Sequence, residues 1–190
     1  KGSPLTQTDN HEALLLFMLS HYVADAHMPM HCDSRKDSFL GFDIHAAAED
    51  VWNVEVVRYY KIDRSNQRFV YNESGFPLLV EDDTYADSIL KAVEDELVRR
   101  PFRVGYGEGN DNVREYMQTV CYYSWLTSLA WLPLDTKRID VNRDALETAA
   151  GLSFRQMSVA ALADAIDAVS RVFLHDLRRF CWWKEEAKPL

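Results

Sequence analysis

The sequence predicts an all-α fold, a compact helical bundle, and three observations predict it. Gly (7) and Pro (6) are few in 190 residues, so long regular elements should dominate over loops. Dense apolar stretches start at capping residues and stop at Pro or Gly. Strand-like alternation is missing, apart from a weak run at Arg68 to Tyr71.

Each element can be justified in turn. A first helix should start near Asp9, with Asp9 as N-cap and Glu12 completing a capping box. Its apolar residues (Leu14, Leu15, Leu16, Phe17, Leu19, Tyr22, Val23) lie nearly all round, so it is expected to be central. Pro29 breaks or bends it. A polar loop from Asp33 to Gly41 follows, and Asp43 caps a second helix from Ile44 to about Tyr60. Residues 61–80 read as irregular, with Asn72, Ser74, Gly75 and Pro77 as turn signals. A third helix should run from about Thr84 to Arg99 and stop before Pro101; Gly105 to Asn112 is a loop. A fourth runs from about Val113 to Leu132 and ends at Pro133. The stretch Met117 to Leu134 carries no charge but holds Gln118, Thr119, Ser124, Thr127 and Ser128, so it reads as a buried central helix rather than a membrane span. A short turn is expected at Arg143 to Ala150 and a fifth helix from about Ser158 to Trp183. Residues 1–190 are thus expected to form a single all-α domain.

Composition narrows the function. Hydrophobic residues are 47% and charged residues 27%, as in soluble globular proteins. The net charge of -9 argues against passive duplex nucleic-acid binding, which needs Lys and Arg to replace counterions. It does not exclude a hydrolase whose metal ions supply positive charge locally. The three cysteines, Cys32, Cys121 and Cys181, are too few and too scattered for a disulfide framework, and leave room for one bridge and a free thiol. Buried or neutral thiols are the plainer expectation.

The chemistry concentrates between residues 21 and 49, where four of the six histidines lie. His21 and Asp25 are four apart, which puts them about 40° apart on one helix face, able to share a metal ion. A straight helix would carry His31 to another face; Pro29 lets the chain turn so that His31 swings back. His45 and Glu49 repeat the imidazole–carboxylate pair, and three Ala between them keep the helix surface thin enough for close approach. Neutral imidazole with carboxylate suits zinc and similar divalent ions. A single such pair is usually a surface ion pair; two pairs with a third His between them point to a metal site of His21, Asp25, His31, His45 and Glu49. His27, four before His31, would pair with it as a ligand if the helix ran straight and otherwise supports the site from behind or lies on the surface, while His11 and His175 are expected to be structural. Phe39, Phe42, Trp52, Tyr59 and Tyr60 are expected in the core, with a cleft lining as the alternative. Arg35 and Lys36 read as solvated loop charges or as phosphate contacts.

The string His21-x3-Asp25-x-His-x-Pro-x-His31, followed by His45-x3-Glu49, resembles the zinc-dependent phospholipase C family and its relatives, the single-strand-specific zinc nucleases. The motif covers roughly residues 11–55. Thirteen residues between His31 and His45, and Glu at position 49, are more similar to the bacterial phospholipase branch. The Gly-Gly-Asn stretch of the nuclease branch is absent; the loop reads Ser-Arg-Lys-Asp-Ser-Phe-Leu-Gly. The resemblance implies a helical bundle with up to three zinc ions in a cleft. His31, His45 and Glu49 would form one zinc site, His21 would serve a second, and Asp25 would bridge the second and third. It further implies upstream ligands, among them an aromatic amino-terminal residue. Only one His and one Asp precede His21, and Lys1 is not aromatic, so a preceding segment carrying further ligands is expected to be lacking. The implied activity is hydrolysis of a phosphoric ester by metal-activated water, with these residues as ligands and the general base upstream. The implied partners are a phosphoester substrate and a membrane-surface lipid, and the implied compartment is outside the cytoplasm. Two other functions fit the same residues: a single-strand-specific nuclease, and a non-catalytic helical domain stabilised by a structural ion.

Overall fold

The structure, a computed structural model, describes residues 9–35, 44–100, 113–134 and 151–181. The chain is all-α, as the sequence predicts. Its helices are α1 (Asp9–His27), α2 (Pro29–Cys32), α3 (Ile44–Tyr59), α4 (Ile89–Arg99), α5 (Val113–Trp131) and α6 (Phe154–Cys181). The turn expected at 143–150 and the residues Lys36, Phe39 and Phe42 lie outside the described residues, as do the side chains of Asp9 and Glu12.

The long α6 is the spine: α1 and α4 both pack along it, and α5 packs against α1, α2 and α6. The main core gathers Ile44 and Ala48 of α3, Ile89 and Val93 of α4, Trp131 of α5, and Phe154, Met157 and Ala161 of α6. Phe154 stacks on Trp52 at 6.2 Å between ring centroids and leans on Trp131 at 5.8 Å, so one ring ties three helices together. A second cluster joins Val23 of α1 to Ala168 and Val172 of α6.

Several boundaries differ from the sequence reading. α6 begins at Phe154, not Ser158, because Ser153 and Gln156 form a reciprocal capping box: the Gln156 amide donates to Ser153 Oγ at 3.1 Å and the Ser153 amide donates to Gln156 Oε1 at 3.0 Å. Just before it, Gly151 has φ +99, and a Cβ there would sit 3.0 Å from the Ala130 carbonyl oxygen; both facts require glycine. The expected third helix is two elements. A 3-10 turn (Asp83–Asp87) gives way to α4 at Ser88, whose hydroxyl accepts from the Lys91 amide. Residues expected to be irregular include a small antiparallel hairpin, β1 (Ile62–Asp63) with β2 (Arg68–Phe69), in which Ile62 faces Phe69. Bridges Tyr60–Leu79 and Tyr71–Pro77 extend it. It is too short to produce the alternation that signals a strand.

The 3-10 turn is held by Asp82. Its carboxylate accepts from the Thr84 hydroxyl, from Arg58 Nε at 2.9 Å and from the Thr84 amide at 2.9 Å. These bonds hold the Asp82 carboxyl down at about 2, against an ordinary 3.8. A depressed folded pKa means that stabilisation is complete above 3.8 and fades as pH falls through about 2. Asp82→Asn is therefore expected to flatten that part of the stability–pH profile. Urea midpoints that fall in parallel for both proteins across this window would show the linkage to be absent.

Two helices expected to be buried and central leave much of their apolar surface exposed. α1 exposes Leu14, Leu15, Phe17, Met18 and Tyr22, and α5 exposes Tyr122, Tyr123, Trp125 and Leu126. The buried stripe of α5 consists instead of Ser124, Ser128 and Trp131, spaced i, i+4, i+7. Counting apolar residues overestimated burial, because the face that packs is chosen by fit and hydrogen bonding. Among the described residues, no helix is long and apolar enough to cross a membrane.

Candidate metal centre

α1 carries His21 and Asp25 one turn apart, and their side chains meet, Nε2 to Oδ2 at 3.4 Å. The helix stops at His27. Met28 takes an extended conformation (φ -84, ψ 115), as a residue before proline prefers, and Pro29 opens α2 at a position that needs no amide hydrogen. This one-residue break redirects the chain so that His31 Nδ1 comes 3.5 Å from Asp25 Oδ1.

α3 supplies the other half. His45 and Glu49 lie one turn apart at its start, with His45 Nε2 2.8 Å from Glu49 Oε1. The helix is pinned by Ile44 and Ala48, by Trp52 Nε1 donating to Ser158 Oγ at 2.9 Å, and by Glu55, which accepts from the Ile89 and Leu90 amides at the start of α4. Ala48 is 0% exposed, so the thin surface does permit close packing on one side; Ala46 is exposed.

The two halves meet at His31 and His45. Their Nε2 atoms are 2.8 Å apart, with the rings edge to face at 4.5 Å between centroids. The five residues thus form one unbroken chain of contacts, His21–Asp25–His31–His45–Glu49. Within it, His31, His45 and Glu49 each offer one ligand atom, all within 4.8 Å of one another. This group could hold a metal ion. His45 Nε2 faces both a second imidazole nitrogen and a carboxylate oxygen, so ligand atoms from three groups gather at one spot. Donors about 2.0–2.1 Å from a tetrahedral zinc stand roughly 3.3 Å from each other, a spacing these atoms bracket. The side chains of His31, His45 and Glu49 are 26%, 38% and 58% exposed, so the spot opens to solvent.

His27 is not part of the group. Its Nδ1 lies 2.7 Å from the Val23 carbonyl oxygen, and its ring lines a different pocket with Tyr123, Thr127 and Asp164. Trp52 and Tyr59 pack in or against the core, as expected of them.

Arg35 is neither a solvated charge nor a phosphate contact. Its Nε and Nη2 grip the Asp33 carboxylate, and Nη1 and Nη2 donate to the carbonyls of Pro133 (3.1 Å) and Leu132 (2.7 Å), just past the end of α5. A cation there satisfies orphan carbonyls and complements the helix dipole. Ser128 Oγ donates to the same carboxylate at 2.5 Å. Burial pushes Asp33 up, but the bonds from Arg35 and Ser128 outweigh it and hold the carboxyl below its ordinary 3.8. Ser124 Oγ and Cys32 Sγ both donate to the Ala26 carbonyl, at 2.6 and 3.4 Å. The segments flanking α2, at Ala26 before it and at Asp33 and Arg35 after it, are therefore latched to α5 and its end on both sides of His31. The sequence reading missed this latch, and Asp33-Ser-Arg35 carries no signal of which carbonyls it would meet.

Cys32 and Cys121 are free thiols, the first half-buried and the second exposed. Burial first, and then Cys121, pushes the Cys32 thiol up to about 12.

No family model, no curated protein and no solved structure matches this chain.

Proposed function

We propose that the chain is a zinc-dependent hydrolase of phosphoric esters, of the phospholipase C and zinc nuclease type. The observation that carries this reading is the convergence of His31, His45 and Glu49 on one solvent-open spot, continued through Asp25 to His21. His31, His45 and Glu49 would hold the first ion. Asp25 and His21 present a carboxylate and an imidazole beside it, the donors that a neighbouring ion would need. A bound zinc ion supplies the Lewis acidity that activates water and offsets charge on a phosphoryl group.

The chain's own residues set the geometry. The Pro29 break aims His31, the latch through Arg35 and Asp33 holds α2 still, and Glu49 contributes a negative charge that favours a divalent cation. A closed structural zinc would require four protein donors away from water. Three donors at an exposed spot favour the catalytic reading over the structural one.

The test loads the purified chain with zinc and counts bound ions. It then assays a phosphorylcholine ester and single-stranded DNA, each with and without chelator. Zinc-restored, chelator-abolished turnover of the choline ester is the expected result. Turnover of DNA alone would assign the nuclease reading instead. One tightly held ion with no turnover of either would assign a structural ion, and no bound ion would overturn the proposal.

A further inference from the structure

We infer that Cys32 and Cys121 form a reversible disulfide that fixes α2, and with it His31, onto α5. The observations are positional. Cys32 is the last residue of α2 and adjoins His31. Its Sγ shares the Ala26 carbonyl with Ser124 Oγ, which brings it to the face of α5 that carries Ser124. Cys121 lies three residues before Ser124, so it occupies the same side of that helix one turn earlier. The two cysteines come from positions 32 and 121, so only the tertiary fold brings them together, and the bond would close a long loop.

The two sulfurs are suited to different steps. Cys121 is exposed and meets an oxidant first; Cys32 is half-buried behind it. The oxidant is a low-molecular-weight disulfide of the glutathione type. The Cys121 thiolate attacks one of its sulfurs, breaking that S–S bond and releasing one thiol. Cys32 then gives its proton to solvent and attacks Cys121 Sγ, breaking the mixed disulfide and releasing the second thiol. Two cysteine thiols are oxidised, and one small disulfide is reduced to two thiols. The product links α2 to α5 beside the contacts that Arg35 and Ser128 already make.

The linkage itself does not depend on the metal proposal, although any effect on ion affinity does. The test equilibrates the full chain with oxidised and reduced glutathione, quenches it in acid, digests it without reduction and maps the peptides by mass. A peptide pair joining Cys32 to Cys121, about 2 Da lighter than the two thiol peptides and abolished by dithiothreitol, is the expected product. The oxidised protein should melt roughly 5–10 °C higher than the reduced protein, a shift that Cys121→Ser removes. Recovery of Cys32 and Cys121 as free thiols, as separate mixed disulfides, or paired only with Cys181 would overturn the inference. A Cys32–Cys121 pair in protein that binds no ion would uphold it while the metal proposal fails.

Discussion

His45→Ala is expected to lower affinity for a divalent ion by more than about 100-fold. Changing a residue that merely orients a ligand costs about 10–100-fold, and removing a direct ligand should exceed that. His45 is the hinge of the group: its Nε2 lies 2.8 Å from both His31 Nε2 and Glu49 Oε1, so its loss disconnects the two halves. Competition against a chromophoric chelator reads the effect. The control is His27→Ala, whose ring bonds to the Val23 carbonyl instead and should leave affinity unchanged. Because the His45 side chain is 38% exposed, metal-free stability should change by no more than about 0.5 kcal/mol. Equal ion affinity in wild type and His45→Ala would show that the ion sits elsewhere.

Arg35→Ala is expected to destabilise the fold by about 3–5 kcal/mol, the cost of removing one partner of a buried ion pair. The Arg35 and Asp33 side chains are only 13% and 9% exposed. The substitution strands the Asp33 carboxylate and takes donors from the Leu132 and Pro133 carbonyls. Urea unfolding measures the loss. Asp33→Ala combined with Arg35→Ala should cost less than the sum of the two single changes, because the second change removes a charge the first left unpaired. A loss below about 1 kcal/mol for Arg35→Ala would mean that water already replaces the latch. The same variant is expected to weaken ion binding, since α2 carries His31.

The contrast between these two residues marks how far the sequence can be read. His45 and Glu49 are four apart on one helix, and their meeting follows from helical periodicity alone. The same holds for His21 with Asp25, and the Pro29 break told where the first helix must end. The capping box of Ser153 and Gln156 went unread, and the helix was expected to start four residues later. Arg35 reads as a loop cation until its partners appear, and those partners lie 97 and 98 positions away.

Burial was the property least legible in the sequence. Leu14, Leu15 and Phe17 look like core residues and are exposed, while the polar Ser124 and Ser128 are buried on a helix whose Tyr122, Tyr123 and Trp125 are not. The serines are buried because each hydroxyl finds an acceptor across a helix interface, Ala26 for one and Asp33 for the other. No local pattern encodes such a match.

By itself, then, the chain determined its helical class, its main breaks and the two imidazole–carboxylate pairs, because these depend on residues within one or two helical turns. Only the tertiary structure decided that the Nε2 atoms of His31 and His45 stand 2.8 Å apart and that α2 is clamped to α5. Those outcomes depend on how helices distant in sequence settle against one another, which short-range periodicity cannot specify.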